Sequence, residues 1–444
     1  TKDGLIPDLD LKLQESVAPL EIINGPLMAG MSEVGRLFNQ NELIVAEVLQ
    51  SAEAMKAAVG HLEQFMEKSA SAARGKIMLA TVKGDVHDIG KNLVEIILGN
   101  NGYQVVNLGI RVVPDDLIKA AHQHKPDAIG LSGLLVKSAQ QMVITAGDFL
   151  DAEIQVPLLV GGAALSEKFT RTKIAPAYGG PTFYCKDAMT GLRTMNEIMD
   201  PALREQVLST HIFRETPDQA AAPEPPAVPS GERRSPKVRV DIAIPPAPYL
   251  DRRARSMPHL GEIWSYINPF MLYGRHLGFR GNFDKMLVQR DPKALELFHN
   301  VEDVKRAAET FMKPRAVWQF FEAARDGNMI HLFAPGGDSP IESFRFGRQA
   351  KSDGLSLSDY VLDPRDGRRD HVALFVVTAG TGVVEHSEEA KARGEFFKAH
   401  ALQSLGIETA EACAEWLHRR IREDWGFPDP PEMTMQERFT SRYR

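Results

Sequence analysis

From Lys76 onward the chain alternates short apolar runs with helical patterns, and this rhythm limits the possible folds more than any other feature. The runs are residues 76–82 (KIMLATV), 103–108 (YQVVNL), 127–132 (DAIGLS), 156–161 (VPLLVG) and 181–184 (PTFY). Between them lie stretches whose apolar residues share a helical face, as Leu93, Ile96 and Ile97 do. Parallel strands need a crossover, and crossover helices cover both faces of a sheet, so the alternation predicts an α/β doubly wound parallel sheet. Such sheets bind ligands outside the carboxyl ends of their strands, where the strand order reverses.

The flanking regions read differently. Ahead of the sheet, Val45, Val48, Leu49, Ala52, Met55, Val59, Leu62 and Met66 recur at spacings of three and four, which is one face of a helix. An earlier helix over residues 18–38 carries Gly25, Gly30 and Gly35. Glycine costs stability inside a helix, so its repetition suggests close packing within a small helical bundle. After the sheet, residues 215–237 hold six prolines and almost no large apolar side chains, the composition of an extended, semi-rigid tether. Beyond it lie all four tryptophans, a helical pattern over 409–423 and an apolar strand over 371–378. Strands and helices mix there without regular alternation, which predicts an α+β domain with the tryptophans in its core. The expected layout is a helical region over 1–74, the α/β domain over 75–213, a linker over 214–237 and the α+β domain over 238–444.

Composition removes several function classes. A net charge of -7 argues against a nucleic-acid binder, which needs a basic face. No run of 18 uncharged apolar residues occurs, so no membrane partner is expected. The opening residues Thr1, Lys2, Asp3 and Gly4 lack the pattern of a secretory signal, and a first residue other than Met suggests that the chain begins inside a longer one. Cys185 and Cys413 are the only cysteines. Two distant thiols exclude a disulfide framework and a cysteine-rich zinc site, and fit a reducing cytoplasm.

The segment that carries chemistry is residues 84–92 (GDVHDIGKN), between the first strand and the helix after it. Its spacing puts the His87 imidazole on an exposed loop with the Asp85 carboxylate two residues earlier. That carboxylate can accept one ring N–H, fixing the tautomer and strengthening the other nitrogen as a metal ligand. Gly90 lets the backbone approach a bulky ligand. A solitary loop histidine is more often merely solvated, and one His with one Asp is too small a set for a zinc cage. A metal that brings four ligands of its own needs only one from the protein.

Asp85-x-His87-x-x-Gly90, then Ser132-Gly133-Leu134, then Gly161-Gly162 resemble the three-part signature of the cobalamin-binding module, and together with the flanking regions the chain is similar to the C-terminal half of cobalamin-dependent methionine synthases. The resemblance implies a flavodoxin- or Rossmann-like sheet in which His87 is the axial ligand to cobalt, linked through Asp85 to Ser138. It implies that small residues keep open a channel for the displaced base of the cofactor. It places Gly84, Val86, Asp88, Ser132, Val136 and Ala188 around the cofactor, Val136 standing where a threonine is expected. Residues 23–38 (INGPLMAGMSEVGRLF) resemble the helical cap over the reactive face of cobalamin, with Asn24 touching the cofactor and Phe38 and Val45 above the methyl group.

Residues 264–270 (WSYINPF), 371–380 and 410–420 carry a likeness to the activation domain of the same enzymes. That likeness implies binding of S-adenosylmethionine, with Tyr266 standing where a subgroup has aspartate, Asn268 beside it, and Glu411 at an acidic position. The sequence stops where the family continues into a further S-adenosylmethionine loop. The implied role is the methyl shuttle between cob(I)alamin and methylcobalamin, from methyltetrahydrofolate to homocysteine, with reductive repair using S-adenosylmethionine. The implied partners are homocysteine and methyltetrahydrofolate modules N-terminal to this stretch and a flavodoxin-like reductant. Two rivals stay open: another corrinoid methyltransferase carrier, against which the C-terminal domain argues, and a cobalamin-dependent sensor, for which no basic recognition helix is visible.

Overall fold

The helices ahead of the sheet form in the computed structural model, which describes residues 2–65, 74–162, 164–212, 234–241, 243, 245–349, 354–364 and 369–443. Helix α1 (Leu5–Gln14) comes first. The helix expected over 18–38 is interrupted. A short turn at Pro19–Ile22 widens into π-helix over Ile23–Leu27 before α2 (Met28–Asn39) begins. Pro26 lies in the widened turn, where it has no N–H to give and its ring would clash with a carbonyl one turn back. Helix α3 (Val45–Leu62) buries Val48, Leu49, Ala52, Met55 and Leu62 of the expected face, with Ala46 and Ala58 in addition; Val45 and Val59 are half-buried and Met66 lies outside the described residues. Of the three glycines, only Gly35 packs tightly: a Cβ there would lie 2.9 Å from Met189 Cε. At Gly25 and Gly30 a Cβ would meet nothing within 4 Å, so close packing does not explain them.

The apolar runs become β1 (Gly75–Thr81), β2 (Tyr103–Asn107), β3 (Ala128–Ser132), β4 (Leu158–Gly161) and β5 (Thr182–Tyr184), in the parallel order β2-β1-β3-β4-β5. The crossover helices are α4 (Ile89–Asn100), α5 (Pro114–His124) and α6 (Val136–Asp151), with α7 (Ala188–Met199) after β5. Alternation along β1 decides which core each side chain joins. Met78 and Ala80 face Leu117 of α5 and Met142 and Phe149 of α6. Ile77 and Leu79 face Ile97 and Leu98 of α4 and Met195 and Ile198 of α7, where Val48 of α3 joins them. Each fully buried Leu, Ile or Met in these layers contributes about 1.5–3 kcal/mol. Because β1 lies between β2 and β3, the chain leaves it in one direction and returns on its other side. The order therefore reverses at the carboxyl end of β1.

The chain divides into two compact units that do not follow the compositional breaks. The first comprises Thr1–Glu215 with Tyr273–Val304 and Val384–Ser404. Within it, Gly278 (φ 79°) presses on Val45, Lys293 pairs with Glu47 at 3.1 Å, Lys391 pairs with Glu95 at 2.9 Å, and the Phe397 amide donates to Glu53 at 3.0 Å. Residues 214–233 of the expected linker lie outside the described residues, and a proline-rich composition says nothing of which later helices return to an earlier core.

The second unit comprises Thr216–Leu272, Lys305–Val383 and Leu405–Arg444. Its antiparallel sheet contains β6 (Arg253–Ser256), β7 (Arg315–Asp326), β8 (Met329–Phe333), β9 (Pro340–Arg345) and β10 (Asp370–Thr378), ordered β10-β7-β8-β9 with β6 also on β7. The pattern over 409–423 is part of a longer helix, α8 (Phe396–Trp425). Arg234 reaches the carbonyls of Asp359 and Val361, and Ser235 is buried, so the end of the proline-rich stretch packs into this unit. Of the tryptophans only Trp318 is core; Trp264, Trp416 and Trp425 are half-buried. Their indole N–H groups donate to Thr409, Glu262 and the Pro245 carbonyl, and a ring with a polar tip settles at the edge of a core. Among the described residues no helix is long and apolar enough to cross a membrane.

Candidate functional site

The turn after β1 lies at the reversal point and is built around one carboxylate. Gly84 takes φ 80°, a conformation that side chains disfavour, and turns the chain so that Asp85 points inward with no exposure. Asp85 Oδ1 accepts the His87 backbone N–H at 2.9 Å and lies 2.6 Å from His87 Nδ1. Its Oδ2 accepts the Ser138 hydroxyl at 2.5 Å and the Leu134 N–H at 2.7 Å. Burial pushes the Asp85 pKa up. The Ser138 hydroxyl, the two donors of His87 and the Leu134 amide outweigh it and hold the carboxyl well below the usual range. An ionised Asp85 can only accept, so Nδ1 carries a proton, and in the neutral tautomer that this selects the lone pair is on Nε2. No hydrogen bond to Nε2 is present among the described residues.

The surroundings suit a large apolar partner. Val86, Ile110, Leu134 and Leu135 are each between 42% and 44% exposed. All adjoin Asp85: Val86 is its neighbour, the Leu134 and Leu135 amides point at its carboxylate, and Ile110 precedes Arg111, whose N–H donates to the Asp85 carbonyl. Four exposed apolar side chains around one half-buried imidazole form a patch of the kind that marks a binding surface. No group of three or more potential metal-binding side chains exists among the described residues. The arrangement therefore fits a metal that brings its own ring of ligands and does not fit a bare ion.

A cavity of about 480 Å³ opens between helices α2 and α3, the sheet, α4 and α7. Phe38, Val45, Gly90, Ser132, Gly161, Gly162 and Ala188 line it, so seven of the expected residues meet there. The glycines serve two different ends. A Cβ on Gly90 would meet nothing within 4 Å, so open space lies beside it. A Cβ on Gly162 (φ 134°) would fall 1.9 Å from the Gly133 carbonyl oxygen, and one on Gly161 would fall 2.9 Å from that of Cys185. One on Gly133 would fall 2.5 Å from Ser138 Cβ. Protein packing by itself requires glycine at these three positions, a reason that the expected channel does not supply.

The remaining expected residues are scattered. Asp88 stands at the N-cap of α4 and accepts Asn92 Nδ2 at 3.0 Å. Asn24 lies in the π-helical turn and Val136 opens α6, and the side chains of both fall outside the described residues. In the second unit Tyr266 is buried and its hydroxyl accepts from Arg419 at 2.7 Å. Asn268 accepts the Phe270 N–H at 3.1 Å, while Glu411 is exposed on α8. No hydrogen bond or ion pair among the described residues joins these three.

Sequence reasoning missed several participants. The Leu134 amide is one, and Thr81, whose hydroxyl donates to the His87 carbonyl at 3.3 Å, is another. Asp187 lines the cavity and caps α7 by accepting the Thr190 N–H at 2.7 Å. That capping pattern directly after a strand was a readable signal. Arg275, also on the cavity wall, gave none.

Comparison with known proteins covers most of the chain. A family described as "B12 binding domain" matches residues 1–63, and another of the same description matches residues 75–180. "Vitamin B12 dependent methionine synthase, activation domain" matches residues 259–444. The methionine synthase of Mycobacterium tuberculosis (strain ATCC 25618 / H37Rv) is 33% identical over 475 residues, covering 98% of this chain and 39% of that protein. The chain thus spans about two fifths of the length of this relative. Among solved structures, the MetH reactivation domain bound to AdoHcy shares 22% identity over 46% of this chain and 65% of its own, with a TM-score of 0.42. A cobalamin-binding protein from Desulfitobacterium hafniense DCB-2 shares 26% identity over 44% of this chain and 91% of its own, with a TM-score of 0.38.

Proposed function

We propose, for a chain that belongs to the cobalamin-dependent methionine synthase family, that it carries cobalamin with His87 as the one protein ligand to cobalt. The observation that carries this reading is the His87–Asp85–Ser138 arrangement, set at the reversal point of a parallel sheet beside a cavity and an apolar rim. When bound, the corrinoid supplies a cobalt centre able to hold and release a methyl group. The protein's own residues do the rest. Asp85 fixes the imidazole through Nδ1, leaving Nε2 to bind metal, and Ser138 holds Asp85. With cobalt bound, Asp85 and Ser138 would share charge with the imidazole through their short hydrogen bonds. Phe38 and Val45 on the cavity wall would help to exclude water from a bound cofactor. Gly84, Val86, Asp88, Gly90, Ser132, Gly133, Leu134, Val136, Gly161, Gly162 and Ala188 complete the cradle, with Asn24 from the cap.

The activity of the whole protein is then transfer of a methyl group from methyltetrahydrofolate to homocysteine in a reducing cytoplasm, using modules outside this stretch. The second unit serves repair, taking a methyl from S-adenosylmethionine and an electron from a flavodoxin-like donor. There Glu411 is the better placed of the acidic or polar candidates for the ligand's amine, because the Tyr266 hydroxyl is already engaged by Arg419. The first test is direct: mix the purified chain with hydroxocobalamin, remove the excess by gel filtration, and read the visible spectrum. Retention of one corrinoid per chain is expected. A colourless protein fraction overturns the reading.

A further inference from the structure

The second unit contains a cavity that the methyl-transfer reading does not use. It measures about 600 Å³ and lies between the sheet face near β6 and helix α8. Tyr266, Asn268 and Glu411 do not line it. Arg252, Arg253, Arg255 and Arg420 do, against one carboxylate, Asp424. In a protein of net charge -7, four guanidiniums around one hollow are a local reversal of sign.

Strand geometry explains how the arginines converge. Arg253 pairs with Trp318 and Arg255 with Ala316 in the antiparallel register, so both project from the same sheet face. They stand about 6–7 Å apart along the strand. Aromatic rings then fix the guanidiniums in place. Arg253 lies 3.2 Å from the Tyr249 ring centroid and Arg255 lies 5.8 Å from that of Trp416. The Tyr249 ring is itself held, since its hydroxyl accepts from Trp318 Nε1 at 2.8 Å and donates to Asp424 at 3.2 Å. A guanidinium stacked on a ring keeps its N–H groups in its own plane, pointing sideways and available to an acceptor.

Those donors are largely unspent. Arg253 has an ion pair with the exposed Asp251 at 3.5 Å. Arg255 donates to the adjacent Ser256 carbonyl at 3.4 Å. Arg252 makes no hydrogen bond or ion pair among the described residues. Arg420 is neutralised by Asp424 at 3.2 Å and Glu423 at 3.3 Å, and Arg253 in part by Asp251, which leaves Arg252 and Arg255 without a carboxylate partner among the described residues.

We infer that this cavity is a binding site for a small anion bearing a diphosphate group. Two forks held 6–7 Å apart, roughly two residues along one strand, suit two linked phosphoryl groups better than one compact ion. The concave shape favours a small molecule over the flat face of an acidic protein.

The test is a titration of the 444-residue chain with inorganic pyrophosphate, followed by tryptophan fluorescence at about 0.15 M salt, where exposed charges are screened. Trp318 and Trp416 on the cavity wall are the reporters. A saturable change, half complete below about 1 mM, is expected. Arg252→Ser combined with Arg255→Ser weakens it about tenfold or more, and Arg255→Lys weakens it as well because an ammonium lacks the fork. Should the double variant fold poorly, Arg252→Ser alone, at an exposed residue, still weakens binding. A response no larger than sodium chloride gives at equal ionic strength overturns the proposal, and so does unchanged affinity in the variants. Binding of polyglutamate without binding of pyrophosphate also overturns it, assigning the surface to an acidic protein.

Discussion

The turn at His87 and the residues around Tyr266 were both read from short motifs, yet hydrogen bonds join the members of only the first set among the described residues. At His87 the motif is contiguous, and every link in it is local: a strand end, a glycine at φ 80°, and a carboxylate two residues before the ring. Around Tyr266 the three residues come from two separate stretches, and the hydroxyl expected to meet a ligand is already bound to Arg419. A motif fixes a site when the backbone between its members fixes their geometry. Where the members lie far apart in sequence, it gives only identities.

The largest expected effect breaks the local site at its centre. Asp85→Ala leaves the Ser138 hydroxyl, the Leu134 amide and the two His87 donors without an acceptor in a buried place. A loss of about 3–5 kcal/mol is expected, read by denaturant unfolding, together with loss of bound corrinoid. A stable variant that still retains cobalamin would show that the carboxylate organises nothing. Gly162→Ala follows, because a Cβ would strike the Gly133 carbonyl at a φ of 134°. About 2–4 kcal/mol of destabilisation is expected, and a fall below about 0.5 kcal/mol would mean the β3–β4 connection yields easily.

Acid should weaken both units. Burial holds His400 in the first unit down to about 4, against the weaker pull of its bond to the His276 carbonyl. Burial, helped by Arg422, holds His418 in the second unit down to about 4 as well. The unfolded chain binds these protons near the ordinary histidine value, so each histidine's contribution is complete above about pH 6.5. It is lost as pH falls from there toward 4, and below 4 no further loss comes from these groups. Melting curves between pH 7 and 4 should fall steadily, and His400→Gln should flatten the part that belongs to the first unit. A melting temperature independent of pH across that window would contradict both assignments.

The smallest effect is in the weaker site. Tyr266→Phe removes one acceptor from the Arg419 guanidinium and should cost about 1 kcal/mol, with S-adenosylmethionine binding by calorimetry unchanged. Lost binding would restore Tyr266 to the ligand and sharpen the comparison in the opposite direction.

What could be read from the sequence follows the same division. All five strands of the parallel sheet lie within one or two residues of the apolar runs, because a strand buried on both faces has no polar alternation to confuse it. The π-turn at Pro26 was signalled by the proline, although the helix around it was read as continuous. The Leu134 amide could not be seen, since a backbone donor has no letter of its own. The glycines of the second and third motifs were found, but their reason was not: Gly162 is held by a backbone oxygen of the neighbouring loop, a contact no local pattern encodes. The return of residues 273–304 and 384–404 to the first unit was invisible for the same cause.

The central claim is that His87 Nε2, left with its lone pair by Asp85, is the protein's bond to cobalt. The measurement is the visible spectrum of the chain loaded with methylcobalamin at neutral pH, beside that of His87→Ala loaded in the same way. The wild type should show the spectrum of a nitrogen-ligated corrinoid, and the variant should show the blue-shifted spectrum of a corrinoid with no nitrogen ligand. If the two spectra coincide, His87 does not hold the metal, and the account of the central turn fails.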